Sequence, residues 1–457
     1  MKSGYALQVT VIGTGYVGLT YGLALSYLGH SVRCVDRDTH RIEILKSGKP
    51  PFYEPGLAEL LAAVSGRVSF ATGLSGERRA DVYVIAVGTP AKGNGDADLA
   101  YVEAAAADIG DWLSGAGNPV VVNKSTVPIG SAGRVESVIR TRLEKRGVES
   151  GFMVAANPEF LREGAALHDT FFPDRIVVGA DDVRAVNMLR QLYSPILEQT
   201  FVPLRAVPRP EGFKLPVFVS TSPASAELIK YAANSFLAMK ISFINEFAGL
   251  AERVGADIEE VARGIGLDNR IGNSFLSAGV GWGGSCLPKD TRAILYTASR
   301  CAYHMPLVEA AVRVNQRQRR AVVEKLQSAL KMIRGSTVGV LGLVFKPDTD
   351  DLRDSPAIDV IRMLLERGAR VKAYDPVAMD RCREQYPSLN IEYSGSVDEL
   401  AAGCDALALL TDWKEFVYAD WEKAGRGMRQ KILVDGRNLL ERGKMEQLGF
   451  FYTGMGR

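Results

Sequence analysis

Gln8-Val9-Thr10-Val11-Ile12-Gly13-Thr14-Gly15-Tyr16-Val17-Gly18 reads as an apolar strand that runs into a glycine turn and opens a helix. Each glycine of the triplet has its own task. Gly13 permits a tight turn, Gly15 lets backbone approach a pyrophosphate, and Gly18 lets the helix pack closely on the strand. Tyr16 and Val17 start the helix, whose N–H groups and positive dipole end then face the phosphates. The helix is expected to run to about Leu28, and Ser31–Asp36 reads as the next strand, ending on an acid about twenty residues after the turn. A carboxylate there accepts hydrogen bonds from a ribose diol and repels a 2′-phosphate, so Asp36 favours NAD over NADP. Arg41, five residues on, pulls the other way, since an arginine nearby can accommodate that phosphate.

Working outward, Val82–Val87, Val120–Lys124, Val154–Ala156 and Ile176–Gly179 continue a series of short strands alternating with helical stretches. That alternation implies βαβ units and a parallel sheet. Pro203 to Pro223 breaks the rhythm and reads as a surface excursion. Ala224 to Val254 then shows apolar residues at helical spacing without a proline, which predicts one long helix linking two domains. A second alternating region begins at Ser336: strand Thr337–Leu343, helix Pro356–Arg367, and strands Arg370–Tyr374, Ala406–Leu410 and Lys431–Val434. Its Gly339 and Gly342 lack the full fingerprint, which points to a nucleotide other than a second dinucleotide. The expected fold class is α/β: two Rossmann-like doubly wound domains joined by a long central helix and a helical middle region. The expected bounds are 1–212, 213–325 and 326–457.

The chain has 457 residues, a formal net charge of +2, and 24% charged and 47% hydrophobic residues. That composition suits a globular chain of two or three domains and gives no argument for nucleic acid. No stretch reaches the roughly 18 apolar residues of a membrane span. The apolar run Leu7 to Ile12 leads into glycines rather than a cleavage site, so it reads as a strand and not a signal peptide. Cys34, Cys286, Cys301, Cys382 and Cys404 show neither CxxC spacing nor neighbouring histidine pairs. No disulfide framework and no metal site are therefore expected, and reduced thiols fit a cytoplasmic enzyme.

Gly281-Trp282-Gly283-Gly284-Ser285-Cys286-Leu287-Pro288-Lys289-Asp290 is the most informative stretch for chemistry. Glycines ahead of Cys286 let backbone approach a ligand closely, and the thiol sits where a loop can turn into a helix carrying Asp290. A helix N-terminus favours the thiolate, and a thiolate is an effective covalent catalyst towards an aldehyde. The other four cysteines read as small buried apolar residues. Glu159 and Glu163, in Asn157-Pro158-Glu159-Phe160-Leu161-Arg162-Glu163-Gly164, share one face if that stretch is helical. They serve either as base and ligand anchor or as first-turn acids of a solvated helix. Lys230 and Asn234 lie one turn apart on the long helix; that lysine either snorkels to water or faces a site.

These segments together resemble the UDP-glucose/GDP-mannose dehydrogenase family. GTGYVG (13–18), FYEPGL (52–57), VGTP (87–90), STVP (125–128), NPEFLREG (157–164), ELIKYAANSFLAMKISFINE (227–246), RIGNSFLSAGVGWGGSCLPKD (270–290), GLVFKPDTDDLRDSP (342–356) and DGRN (435–438) follow the family's order over nearly the whole chain. Several segments are most similar to the members that oxidise UDP-glucose. Trp282 and Leu287 depart from the family's usual residues at those positions.

The resemblance implies oxidation of a nucleotide-sugar alcohol to the carboxylate with two NAD, through a thiohemiacetal and a thioester. It makes Cys286 the nucleophile and Lys230 the group that takes up a proton and stabilises the oxyanion. Asn234 would hold the same oxygen, Asp290 would act with the lysine, and Glu159 and Thr126 would position or activate water. It places Thr89, Pro90, Ser125, Thr126, Glu163 and Arg353 at the cofactor beside the fingerprint residues. It gives the substrate Phe160, Leu161, Arg162, Lys230, Asn234, Phe275, Leu276, Ser277, Gly283, Lys346 and Arg437. Arg270 would cross to a neighbouring subunit's substrate, implying a homodimer or a higher assembly. UDP-glucose or a related nucleotide-sugar is the expected partner.

Overall fold

The structure, a computed structural model, describes residues 6–74, 80–115 and 117–457. The chain divides into two compact units: Met1–Ala232 with Arg292–Thr297, and Ala233–Thr291 with Ala298–Arg457.

The first unit holds an eight-stranded sheet of β1 (Gln8–Ile12), β2 (Ser31–Val35), β3 (Val68–Ala71), β4 (Val82–Ile85), β5 (Val120–Asn123), β6 (Met153–Ala156), β7 (Arg175–Gly179) and β8 (Val217–Thr221). Their order is β3-β2-β1-β4-β5-β6-β7-β8. The central strands are apolar on both faces because both faces are covered, as a parallel sheet requires. Val9, Val11, Val82, Val84, Val120 and Val122 pack on one side. Ile12, Tyr83, Ile85 and Val121 pack on the other, against the helices Ala100–Trp112 and Ser131–Arg146. The expected parallel series stops at β6. β7 meets it antiparallel through Ala156 and Gly179, and β8 is parallel to β7.

The second unit carries a six-stranded, wholly parallel sheet of β9 (Thr337–Leu341), β10 (Arg370–Tyr374), β11 (Ile391–Tyr393), β12 (Ala406–Leu409), β13 (Ile432–Asp435) and β14 (Phe451–Thr453). Their order is β11-β10-β9-β12-β13-β14. Both units thus have the doubly wound α/β architecture, and the helix Pro223–Val254 begins in the first and continues into the second.

Four strands went unpredicted: β3, β8, β11 and β14. They are the four edges of the two sheets. Edge strands pack on fewer neighbours and carry shorter apolar runs, so the sequence signal is weak there. β8 also corrects the reading of 203–223 as a pure excursion, because its last residues pair with β7. A second correction concerns 157–164, which forms no helix. Pro158 holds the preceding residue extended, and Glu159 Oε2 accepts the Leu161 N–H at 2.5 Å in a local turn. Glu159 and Glu163 therefore share no helix face; the next helix begins at Ala166.

Candidate active site

In the first unit the glycine turn has the geometry its residues dictate. Gly13 has φ +102°, and a Cβ there would stand 2.5 Å from Ala86 O. At Gly18 a Cβ would fall on Gly13 O, so this glycine is fixed by helix–strand packing. Gly15 differs: a Cβ there meets nothing within 4 Å, and no side chain caps the helix Tyr16–Tyr27 that it opens. That leaves the backbone at the helix start open to a phosphate group.

Asp36, just past β2, has a side chain only 14% exposed. The Thr14 N–H and hydroxyl both donate to its Oδ2 at 2.7 Å, and the Asp38 N–H donates to Oδ1 at 3.0 Å. Burial raises the carboxyl's pKa, but these hydrogen bonds and the Arg41 guanidinium outweigh it and hold it below the ordinary value. Arg41 lies 3.3 Å from Asp36 Oδ2, so its charge is engaged by the acid. An uncapped helix start, an open Gly15 and a fixed carboxylate at the strand end fit a dinucleotide. Close by in sequence to β4 and β5, the Thr89 hydroxyl donates to Thr126 O at 2.8 Å, and the Ser125 hydroxyl to Val87 O at 2.7 Å. These bonds tie the two loops carrying Thr89, Pro90, Ser125 and Thr126 to each other.

Lys230 and Glu159 form a buried ion pair: Nζ to Oε1 is 3.1 Å, with side chains 4% and 6% exposed. The sequence left Lys230 between solvent and site; the structure buries it. Its ammonium also lies 5.4 Å from the Phe160 ring centroid, and Arg175 stacks on that ring at 3.9 Å. Arg162 is engaged through its guanidinium with Asp169, and Glu163 is half-buried.

The second unit carries the thiol. Cys286 immediately precedes the helix Leu287–Arg300, and its carbonyl accepts the Asp290 N–H at 2.8 Å. It is half-buried, with Ser285 Oγ 3.4 Å from its Sγ. Asp290 is fully buried. Asn234 Nδ2 donates to its Oδ2 at 2.6 Å, and Lys289 Nζ lies 2.6 Å from Oδ1. Asn234 and Asp290 are thus joined directly, with Asp290 one helix turn along the chain from the thiol.

The close approach permitted by the glycines here is to protein. A Cβ on Gly283 would fall on Asp354 O, and one on Gly284 would stand 2.7 Å from the Phe345 ring. Asn315 clamps the loop by accepting the Trp282 N–H at 2.7 Å and donating to its carbonyl at 2.9 Å. Arg319 donates to the same carbonyl at 3.0 Å and to Asp354 at 2.8 Å. Trp282 itself donates to Ser242 Oγ at 3.1 Å.

Buried Cys34 and Cys404 have thiols pushed by burial to about 12 and about 11, as apolar residues should. Cys382 is buried too, but Cys301 is exposed, against expectation.

Among the residues assigned to substrate, Phe275 has φ +65°, an uncommon conformation for a bulky residue and one that concentrates at functional loops. Leu276 is buried and Ser277 exposed beside it. The Arg270 side chain is 89% exposed and lies against Asp268. Arg437 donates to Leu410 O at 2.8 Å and Phe345 O at 2.7 Å, and Lys346 lies 5.4 Å from the Phe345 ring. Arg353 pairs with buried Asp351 at 2.8 Å.

The second fingerprint explains itself at Asp375, the strand-end acid matching Asp36. It is completely buried. Its Oδ2 accepts from Leu343 N, Val344 N and Trp413 Nε1, and its Oδ1 from Val377 N and Ala378 N. With no exposed surface, unlike Asp36, this acid is not available to a ribose.

Sequence reasoning missed Lys124, Glu54 and Glu227. Glu54 accepts the Gly164 and Ala166 N–H groups at 2.7 Å each, capping the helix after 157–164. Glu227 accepts from Gly130 at 2.6 Å and Ala132 at 2.9 Å, anchoring the long helix on the start of the helix Ser131–Arg146. A glutamate capping a helix distant in sequence leaves no local pattern. Lys124 was read only as the end of a strand.

Comparison with known proteins agrees with these features. Residues 7–197 match the NAD binding domain of the UDP-glucose/GDP-mannose dehydrogenase family, 224–317 its central domain, and 339–442 its UDP binding domain. A UDP-glucose 6-dehydrogenase of Rhizobium meliloti is 46% identical over 459 residues, covering 99% of this chain and 100% of that protein. The UDP-glucose 6-dehydrogenase TuaD of Bacillus subtilis is 43% identical over 453 residues, covering 98% and 93%. A solved UDP-glucose dehydrogenase from Pyrobaculum islandicum superposes with a TM-score of 0.87 at 38% identity, covering 100% of this chain and 99% of that one. With an open glycine turn answered by Asp36 in one unit and a helix-start thiol in the other, the chain belongs to the UDP-glucose/GDP-mannose dehydrogenase family and is an NAD-dependent enzyme.

Proposed function

We infer that this chain is a UDP-glucose 6-dehydrogenase, which oxidises UDP-glucose to UDP-glucuronate in two two-electron steps. Its similarity over 98–99% of its length to enzymes of that name supports the substrate. The observation that carries the chemistry is a half-buried thiol at a helix start, in a chain that also bears a dinucleotide turn.

The helix start at Gly15 to Gly18 and Asp36 would hold NAD, with Arg41, Thr89, Pro90, Ser125, Thr126, Glu163 and Arg353 beside it. Bound NAD supplies the hydride acceptor for both oxidations. Lys230, with Asp290, takes the proton released by the sugar 6-hydroxyl. Cys286 Sγ then adds to the aldehyde carbon, giving a thiohemiacetal that keeps the sugar attached. Loss of the second hydride and of the hydroxyl proton leaves a thioester. Water, positioned by Glu159 and Thr126, cleaves it to the carboxylate and returns the thiol. Lys230 and Asn234 stabilise oxyanion charge at each tetrahedral stage. Phe160, Leu161, Arg162, Phe275, Leu276, Ser277, Gly283, Lys346 and Arg437 form the substrate set, and Arg270 serves a neighbouring subunit.

The active form is a homodimer or a higher assembly. Phe236, Phe243, Phe247, Leu250 and Val254 are exposed at helical spacing along one stripe of the long helix, with Phe243 and Phe247 rings 4.7 Å apart. An apolar stripe of this kind is suited to a second copy. The NAD-binding domain, the central helical region and the UDP-binding domain divide near 212 and 325. Among the described residues no helix is long and apolar enough to cross a membrane, and none of the five cysteines forms a disulfide, which suits the cytoplasm. Incubating purified protein with NAD and a panel of nucleotide-sugars tests the reading. It expects UDP-glucuronate by mass from UDP-glucose. Preference for a UDP-N-acetylhexosamine or GDP-mannose would displace it.

A further inference from the structure

Lys124 ends up in the interior of the first unit, one residue past β5. Its Nζ donates to Asn157 Oδ1 at 3.1 Å, to Tyr193 OH at 3.3 Å and towards Asn157 O at 3.5 Å. These acceptors are neutral. The ammonium also lies 4.5 Å from the Tyr21 ring centroid. The acceptors are themselves fixed: Tyr21 OH donates to Tyr193 OH at 2.7 Å, Tyr193 OH to Asn157 Oδ1, and Asn157 Nδ2 to Val177 O at 2.7 Å. Asn157 stands two residues before Glu159, which pairs with Lys230. Two buried ammonium groups therefore act on one buried carboxylate.

We propose that Lys124 is a positioning residue for the proton transfer assigned to Lys230, a second buried cation anchored on Asn157 that readies Lys230 to take the substrate's proton. The inference rests on the dehydrogenase reading above. Its physics is that of like charges in a low-dielectric interior. A neighbouring positive charge disfavours protonation of Lys230, so Lys230 is more often the neutral amine that can accept a proton. Lys124 itself shows the strain. Burial pulls its ammonium down to about 8, Glu159 pushes it up, and Lys230 pulls it down again. The charged and titratable groups around it are Glu159 after β6, Lys230 on the long helix, Tyr193 and Tyr21. A purely structural filler would be better served by an apolar side chain, because an ammonium among neutral acceptors costs stability.

The test is the pH dependence of kcat for UDP-glucose oxidation in the wild-type enzyme, Lys124→Met, Lys124→Gln and Lys124→Arg, each checked for folding and NAD binding. The wild-type profile should rise with pH as Lys230 loses its proton. Both neutral variants should move that rise upward by about one pH unit, falling roughly tenfold near neutrality and recovering in alkali. Lys124→Arg, which keeps the charge, should leave the rise near its wild-type position. An equal fall at every pH, with the rise unmoved, overturns the inference. So does failure of both neutral variants to fold, which would make Lys124 a structural anchor. Absence of a rise in the wild-type enzyme would instead remove the role given to Lys230.

Discussion

Asp36 and Lys230 show how single side chains acquire function from what surrounds them. Asp36 is held by Thr14 and Asp38 and neutralised in part by Arg41. Replacing it with alanine removes a charged acceptor for the ribose and releases Arg41. NAD affinity should fall about 10- to 100-fold, the scale of a hydrogen bond to a charged group, while activity with NADP rises. An unchanged NAD-to-NADP ratio in kcat/KM would contradict this. Lys230→Met removes a donor to the developing oxyanion, and kcat should fall by roughly 10²–10³ or more with UDP-glucose affinity changed far less. Binding measured by calorimetry alongside turnover separates the two. Much at this scale was legible in the sequence. Gly13, Gly15, Gly18, Asp36 and Cys286 stand in local patterns that carry their own chemical reason. Lys124, Glu54 and Glu227 do not, because their partners come from distant segments. Burial alone turned Lys230 from an undecided residue into half of an ion pair.

The elements follow the same division between local and distant causes. Central strands such as β4 and β12 are continuous apolar runs and could be placed from sequence. The edges β3, β8, β11 and β14 could not, since pairing rather than composition makes them strands. The thiol loop is fixed from the helix Pro306–Leu330, where Asn315 and Arg319 hold Trp282. Asn315→Ala leaves two backbone groups of Trp282 without that partner. It should cost about 1–3 kcal/mol of stability and lower kcat more than it alters KM, as read by chemical denaturation and steady-state kinetics. The turn between the opening helix and β2 gives a pH-dependent counterpart. His30 Nδ1 accepts the Leu7 N–H at 3.3 Å and Nε2 donates to Leu192 O at 3.0 Å, which requires the neutral ring. Burial holds its pKa below the ordinary value. The unfolded chain therefore takes up the proton first as pH falls. Stability is complete above about 6.5 and declines through the lower native value. His30→Gln should flatten that acid loss in urea midpoints compared near neutrality and near pH 5; an unchanged acid slope would exclude His30 as its source.

At the scale of the whole molecule, the doubly wound pattern of both units was readable because alternating strands and helices recur on either side of one long helix. The reversal of β7 and β8 relative to β6 was not, since strand direction depends on how the chain returns rather than on strand composition. The exposed stripe from Phe236 to Val254 argues for a second copy, and charge there should undo it. Phe243→Glu with Phe247→Lys should shift the mass seen by light scattering from dimer or larger to monomer, and activity should fall with it if Arg270 serves a neighbour's substrate. A monomeric wild-type enzyme at full activity would contradict that assembly. The account as a whole depends on one sulfur atom. Its most direct test is NADH formation by Cys286→Ser with UDP-glucose and NAD. The account predicts that turnover stops, about 10³-fold or more below wild type, while UDP-glucose and NAD still bind. Sustained formation of two NADH per UDP-glucuronate at the wild-type rate would contradict it.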